Sequence, residues 1–255
     1  MAKAVPVAVL GASGRMGHSL IRLMAEYPQL RLHSALAAHG HAALGRDSGE
    51  QAGVAVNGVR LGSDLTAALS GAELVIDFSR SEASAAHVEA CAEAGVPMLL
   101  GTTGLAVSVQ AQLAAAARRI PLLVAANTSL AVTVLLELVR QAAERLPANF
   151  DVQILETHHR DKRDAPSGTA LALGSAVAAS ARPVGYASLR GGDVVGDHMV
   201  HFFGAGERLN LGHSATDRSV FARGALVAGI WLANQAPGRY TMAQALGLGG
   251  AGHQK

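Results

Sequence analysis

The run Glu156-Thr157-His158-His159-Arg160-Asp161-Lys162-Arg163-Asp164-Ala165-Pro166-Ser167-Gly168-Thr169-Ala170 concentrates side chains that can do chemistry. His158 and His159 can give or take protons near neutral pH. Lys162 adds a movable cation, able to meet a carboxylate or to donate a proton. Ser167-Gly168-Thr169-Ala170 opens an Ala-rich helix, and backbone N–H groups at a helix start can hold a carboxylate. Gly168 permits close approach of a ligand, and Thr169 adds a hydroxyl donor. The only lysines are Lys3, Lys162 and Lys255, with arginine used everywhere else. A lysine at 162 in so arginine-biased a chain points to a task that a guanidinium would not perform. The competing reading of the segment is a solvated polar loop capped by Ser167 or Asp164.

A second informative stretch is Val7-Ala8-Val9-Leu10-Gly11-Ala12-Ser13-Gly14-Arg15-Met16-Gly17. It follows a strand, opens a helix and lies in a βαβ pattern, where glycines make the tight turn and let backbone N–H groups approach a pyrophosphate. Ser13 stands where the commoner fingerprint has its second glycine. The alternative is a plain strand-to-helix connection needing positive φ; the agreement of strand, turn and helix favours dinucleotide binding. The acid that usually meets the adenosine ribose should close the second strand, yet Ala35-Leu36-Ala37-Ala38 carries none. Without that carboxylate a 2′-phosphate is not repelled, and Arg15, His39 or Arg46 could face it. NADPH is therefore expected to serve at least as well as NADH.

The elements that must position these residues follow from the apolar pattern. Strand-like runs at 4–10, 30–36, 74–78, 97–100 and 121–125 alternate with helical patterns at 14–27, 81–94 and 105–119. Short continuous apolar strands separated by helices indicate a parallel sheet with helices on both faces. After Asn127 the pattern changes. A helix over 130–146, ended by Pro147, leads to a strand over 151–157 and a helix over 168–180. Gly-punctuated strands then include 193–203 and 207–212, before a last helix over 216–233 and a Gly-rich tail. The expected fold class is α/β, with a parallel-sheet dinucleotide-binding domain formed by 1–128 and 216–255. A smaller α+β domain spans 129–215.

Composition narrows the remaining classes. A formal charge of +2 without a basic run gives no footprint for nucleic acid. Cys91 is the only cysteine, which excludes an intramolecular disulfide and a cysteine-based structural zinc site. The chain enters a strand almost at once and has no apolar stretch near the roughly 20 residues a membrane span needs. A soluble cytoplasmic protein is expected.

The run from Glu156 through Ala170 resembles the signature of the 4-hydroxy-tetrahydrodipicolinate reductase family, also called dihydrodipicolinate reductase. The turn Gly14-Arg15-Met16-Gly17 is similar to that family's cofactor loop. Further similar motifs are Asp77-Phe78-Ser79, Gly101-Thr102-Thr103-Gly104, Ala125-Ala126-Asn127-Thr128-Ser129, Gly192-Asp193-Val194-Val195-Gly196-Asp197-His198 and the segment from Arg218 to Trp231. They occur in the family's order; 39–60 and the tail match poorly. The resemblance implies a Rossmann-like domain and a second domain for substrate binding and oligomerisation. The implied activity is reduction of a cyclic imine dicarboxylate by NADPH or NADH in diaminopimelate and lysine biosynthesis. It also implies that His158 gives or takes a proton, that Lys162 is the other proton donor, that His159 contacts substrate, and that Gly168 and Thr169 hold one carboxylate. Gly11, Ala12, Ser13, Gly14, Arg15 and Met16 would bind the pyrophosphate. Gly101, Thr102 and Thr103 would line the nicotinamide pocket, with Ala125, Ala126, Asn127 and Thr128 beside it. The family's ribose-binding acid falls at Ala37. A homotetramer formed through the second sheet is implied, with Val194–Phe203 as a contact strand.

Other readings compete. Eleven histidines invite a metal site at His198, His201 and His213, or at the His158–His159 pair, but His198 and His201 are three apart and would not share a strand face, and adjacent histidines point apart if extended. No metal is expected. Another two-domain nicotinamide oxidoreductase, such as a semialdehyde dehydrogenase, would need a cysteine nucleophile, and Cys91 is badly placed. A catalytically silent dinucleotide sensor would bind cofactor without turnover.

Overall fold

The computed structural model describes residues 3–178 and 182–248, divided into two compact units, 1–128 with 221–255 and 129–220. The expected end of one helix at Ser180 and the end of the tail lie outside the described residues.

In chain order the first unit contains β1 (Val5–Leu10), α1 (Arg15–Met24), β2 (Leu30–Leu36), α2 (Ser48–Gln51), β3 (Leu61–Gly62), α3 (Leu65–Leu69), β4 (Leu74–Asp77), α4 (Ser81–Ala94), β5 (Met98–Leu100), α5 (Val109–Ala117) and β6 (Pro121–Val124). The second holds α6 (Leu130–Arg145), β7 (Asp151–His158), α7 (Gly168–Ala178), β8 (Val184–Arg190), β9 (Gly196–Gly204) and β10 (Glu207–Ala215). Helix α8 (Ser219–Leu232) leads back to the first unit, which ends with β11 (Gly238–Tyr240) and α9 (Met242–Ala245).

The first sheet has the order β11-β6-β5-β4-β1-β2-β3, and every pair is parallel. Its central strands β1, β4, β5 and β6 are buried on both faces, which is why they read as continuous apolar runs. On one face Ala8, Leu10, Val75, Met98, Leu100 and Leu122 pack with Leu69, Val88, Cys91 and Leu113 from α3, α4 and α5. On the other, α8 comes so near β4 that a Cβ on Gly229 would stand 2.9 Å from Leu74 Cδ2. Sequence signals set the ends: α4 stops at Gly95 with φ of 70°, and α6 starts on Ser129, whose Oγ accepts Val132 N–H at 3.3 Å. No helix is long and apolar enough to cross a membrane among the described residues.

Three elements between β2 and β4 went unread. Helices α2 and α3 are capped by Asp47 and Asp64, and β3 is only two residues long. Pieces of that size show no hydrophobic period. The expected tail also contains β11, an added parallel strand beside β6.

In the second unit the sheet order is β10-β9-β7-β8, with β7 and β8 parallel and the other pairs antiparallel. Strand β9 starts at Gly196, later than the reading from 193, and is interior to the sheet. Helices α6 and α7 cover one face through Leu135, Val139, Leu173 and Val177, packed on Val152, Ile154, Val200 and Phe202. Leu155, Leu189, Met199 and Phe203 are out of phase with that core and fall on the opposite face.

Candidate active site

The first unit gathers its loops at the carboxyl ends of adjacent parallel strands, the side where open α/β sheets bind ligands. Phe78 N–H donates to Leu10 O (3.1 Å), Gly101 N–H to Asp77 O (2.9 Å) and Ala125 N–H to Leu100 O (3.0 Å). These bonds bring the turns after β1, β4, β5 and β6 into register, and with them Gly11–Met16, Gly101–Thr103 and 125–128. Two glycines of the first turn have a steric reason. Gly11 has φ of +76°, and a Cβ there would lie 2.6 Å from Phe78 O. Gly17 faces the turn backbone, where a Cβ would lie 2.5 Å from Ala12 Cα. Gly14 is the N-cap of α1, and neither a side-chain cap nor an acid in the first turn occupies that positive end.

A buried hydroxyl, Thr102 Oγ1, has no partner among the described residues, and a Cβ on Gly101 would run into the Phe78 ring. An uncapped helix start, backbone laid bare by glycine and an unsatisfied buried donor fit a dinucleotide. Ala37 is buried and uses its N–H on Gly62 O, so no acid closes β2. Gly17→Ala is expected to weaken dinucleotide binding by about 10²-fold or more, because the obstructing atoms are backbone. A fluorescence titration with NADPH checks this, and wild-type affinity would contradict it.

In the second unit the central group is Glu156, 1% exposed. It lies two residues before His158 on the same face of β7, and its Oε2 is 2.5 Å from His158 Nδ1. Arg190, paired with His158 across β7 and β8, donates to Glu156 through two guanidinium nitrogens at 2.8 and 2.7 Å. The same guanidinium reaches the carbonyls of Lys162 (3.3 Å) and Asp164 (2.6 Å), so it braces the loop that carries the lysine. Lys162 Nζ donates to Asp164 Oδ1 at 2.8 Å. His159 offers its carbonyl to Lys162 N–H at 3.2 Å.

Burial alone opposes the charge on Glu156, but hydrogen bonds from Arg190, Ser188 and His158 outweigh it and hold its carboxyl at about 2. The His158 imidazole is pushed below its ordinary value of 6.5, burial winning over the attraction of Glu156. His158 is therefore neutral at neutral pH. Its Nδ1–H is committed to Glu156, which leaves Nε2 as the proton-exchanging atom.

The start of α7 adjoins this network. Ser167 N–H donates to Glu156 Oε1 at 3.2 Å, and Ser167 Oγ caps the helix by accepting Ala170 N–H at 3.2 Å. Gly168 and Thr169 thus sit at the positive end of an 11-residue helix. His198, 5% exposed, lies 3.3 Å from Ser167 Oγ through Nε2 and meets the His158 ring edge-on, 5.1 Å between centroids. Burial and the neighbouring His158 and His213 push His198 down to about 4.

A histidine lowered on folding costs stability as the unfolded chain begins to take up protons. Stability is full above about pH 6.5 and falls as pH drops towards 4. Urea unfolding at pH 7.5 and pH 5 is expected to show that loss in the wild type and a smaller one in His198→Leu; equal losses would contradict the assignment.

Sequence reading picked out His158, Lys162, Gly168 and Thr169, and missed Glu156, Arg190 and His198 as their supports. The signal for Glu156 was its spacing of two from His158 on a strand. His201 stacks on Phe203 on the opposite face from His198, and no trio of His, Cys, Asp or Glu that could hold a metal occurs among the described residues. Cys91 is fully buried, and burial together with the charge of Asp77 pushes its thiol up to about 12, so it is no nucleophile.

Comparison with known proteins agrees with this geometry. Residues 5–128 match the family pattern "Dihydrodipicolinate reductase, N-terminus", and residues 131–246 match "Dihydrodipicolinate reductase, C-terminus". The chain is 48% identical to 4-hydroxy-tetrahydrodipicolinate reductase of Anaeromyxobacter sp. (strain Fw109-5), over 96% of this chain and 98% of that protein. It is 44% identical to the enzyme of that name from Thiobacillus denitrificans (strain ATCC 25259 / T1), over 96% and 99%. In fold it is similar to the dipicolinate-bound dihydrodipicolinate reductase from Paenisporosarcina sp. TG-14, with a TM-score of 0.78 at 21% identity, covering 95% of this chain and 99% of that one. It is also similar to aspartate semialdehyde dehydrogenase II from Vibrio cholerae, with a TM-score of 0.61 at 14% identity over 92% and 100%; the buried Cys91 argues against a thiol mechanism. The chain belongs to the dihydrodipicolinate reductase family.

Proposed function

We propose that the chain reduces 4-hydroxy-tetrahydrodipicolinate to tetrahydrodipicolinate, with loss of water, using NADPH or NADH. The observation that carries this reading is a neutral histidine bonded to a buried Glu156–Arg190 pair, with Lys162 in the loop that Arg190 braces, beside a capped helix start. The bound nicotinamide supplies hydride; the protein's residues anchor two carboxylates, orient the ring and manage protons. Gly168 and Thr169 hold one carboxylate at the start of α7, and His159 contacts the substrate. Glu156 fixes the tautomer of His158, so that Nε2 accepts or returns a proton. Lys162 brings a proton to the electron-rich centre formed as hydride arrives. Gly11, Ala12, Ser13, Gly14, Arg15 and Met16 hold the pyrophosphate. Gly101, Thr102 and Thr103 line the nicotinamide pocket, with Ala125, Ala126, Asn127 and Thr128 beside it.

The test is oxidation of NADPH and of NADH by purified protein, with substrate generated in place from pyruvate and aspartate semialdehyde by the synthase that condenses them. Turnover with NADPH at least equal to that with NADH supports both the reaction and the effect of Ala37. Binding of either cofactor without turnover would support a silent sensor.

The open face of the second sheet supports assembly of this chain into a tetramer. Leu189 is 53% exposed there, with Leu155, Met199 and Phe203 half-buried beside it. Because β9 is interior, contact would use its face rather than its edge. Sedimentation is expected to give a tetramer for the wild type and smaller species for Leu189→Asp; a monomeric wild type would contradict this.

A further inference from the structure

One buried polar pair in the first unit has no part in the chemistry above. Asp77 closes β4 and is completely buried. Its Oδ2 lies 2.8 Å from Nδ1 of His87, on α4, and its Oδ1 accepts Ser79 N–H at 2.7 Å. Ser79 Oγ lies 3.3 Å from the same His87 nitrogen. A single carboxylate therefore ties the helix to the turn that follows the strand.

That turn is the floor of the nucleotide loop. Phe78 O is the atom a Cβ on Gly11 would meet at 2.6 Å, and Ser79 Cα would be met at 2.9 Å. The Phe78 ring fills the space beside Gly101, and Phe78 N–H is bonded to Leu10 O. The turn thus touches both the pyrophosphate loop and the Gly101–Thr103 segment. A displacement of a few tenths of an ångström in Phe78 or Ser79 would be passed to both, since neither contact has slack. A buried carboxylate with no such task would be a costly choice, because an apolar pair of similar volume would stabilise the strand end as well.

We propose that His87 and Asp77 are positioning residues for the dinucleotide, holding the Phe78–Ser79 turn where the Gly11 and Gly101 loops need it. The inference rests on the dinucleotide reading of the first unit. In His87→Leu the carboxylate loses the donor on Oδ2 and keeps only Ser79 N–H on Oδ1, so its tie to α4 is gone, while in His87→Gln an amide can still donate to Oδ2. The double variant Asp77→Leu with His87→Leu removes the buried charge altogether. It keeps an apolar core and leaves Ser79 N–H without its acceptor.

The experiment is fluorescence titration of full-length protein with NADPH and with NADH, alongside thermal melting of each variant without ligand. Expected are a roughly tenfold or greater loss of affinity in His87→Leu, recovery to within about threefold in His87→Gln, and a tenfold loss in the double variant at a melting temperature near wild type. Should His87→Leu not fold, the double variant decides. Wild-type affinity in the folded double variant would overturn the proposal and leave the pair a stabiliser of the fold. A wild-type protein that binds neither cofactor would instead overturn the dinucleotide reading itself.

Discussion

Replacing Lys162 by Met is expected to lower kcat by about 10²–10⁴ while leaving NADPH affinity within a factor of two. Met keeps the length and apolar stem of the side chain but removes the ammonium, the only part bonded to Asp164. The Gly11–Met16 turn, proposed to hold the nucleotide, lies in the other compact unit and loses no bond. Arginine should not rescue the variant: its charge is spread over a planar fork that gives up a proton far less readily than an ammonium. A second consequence has a definite sign. The charge of Lys162 is one of the influences lowering His158, so its removal raises that pKa and moves the acidic limb of the rate profile upward. Steady-state kinetics across pH measures both effects. A folded variant with near-normal kcat would remove Lys162 from the mechanism.

Arg190→Leu should be the most damaging change away from the reacting groups. It strips two charge-assisted hydrogen bonds from a carboxylate that is 1% exposed and releases the carbonyls of Lys162 and Asp164. Breaking a buried pair by removing one partner costs about 3 kcal/mol or more, since the other charge stays behind. A fall of roughly 6–12 °C in Tm follows at this chain size. Because the Arg190 charge also lowers His158, its removal raises the His158 pKa. Acid sensitivity changes too. Glu156 has a depressed carboxyl, so its contribution is present above about 4.5 and is lost as pH falls towards 2; without Arg190 that contribution shrinks. Calorimetric melting at pH 7 and pH 4 is the check. An unchanged Tm with unchanged kcat would show that the pair supports neither fold nor site.

Much of the first sheet was legible because parallel strands covered on both faces must be apolar throughout. Leu30–Leu36 was placed with its observed bounds, as was the helix Ser81–Ala94, which Gly95 terminates. Between Gly40 and Glu73 the sequence failed as a guide. There α2, β3 and α3 have four, two and five residues, and backbone bonds to Asp47 and Asp64 hold them rather than a periodic face.

At the site, the residue types clustered between Glu156 and Ala170 pointed to Lys162 and the adjacent histidines. Arg190 could not be found that way, because its meeting with Glu156 spans 34 positions and depends on the β7–β8 register. His198 and His213 drew notice as possible metal ligands, and His198 also as the end of a family-like motif. Their pairing across β9 and β10 in fact sets His213 beside His198, and His198 in turn against the His158 ring.

The central claim is hydride transfer to a cyclic dicarboxylate, and isotope transfer tests it most directly. Wild-type protein and Lys162→Met would be supplied with NADPH carrying deuterium at the transferable position, together with substrate generated in place, and the product examined by mass spectrometry. Tetrahydrodipicolinate bearing one deuterium, formed by the wild type and at most about a hundredth as fast by Lys162→Met, is the predicted result. Cofactor that binds but yields no deuterated product would contradict the account.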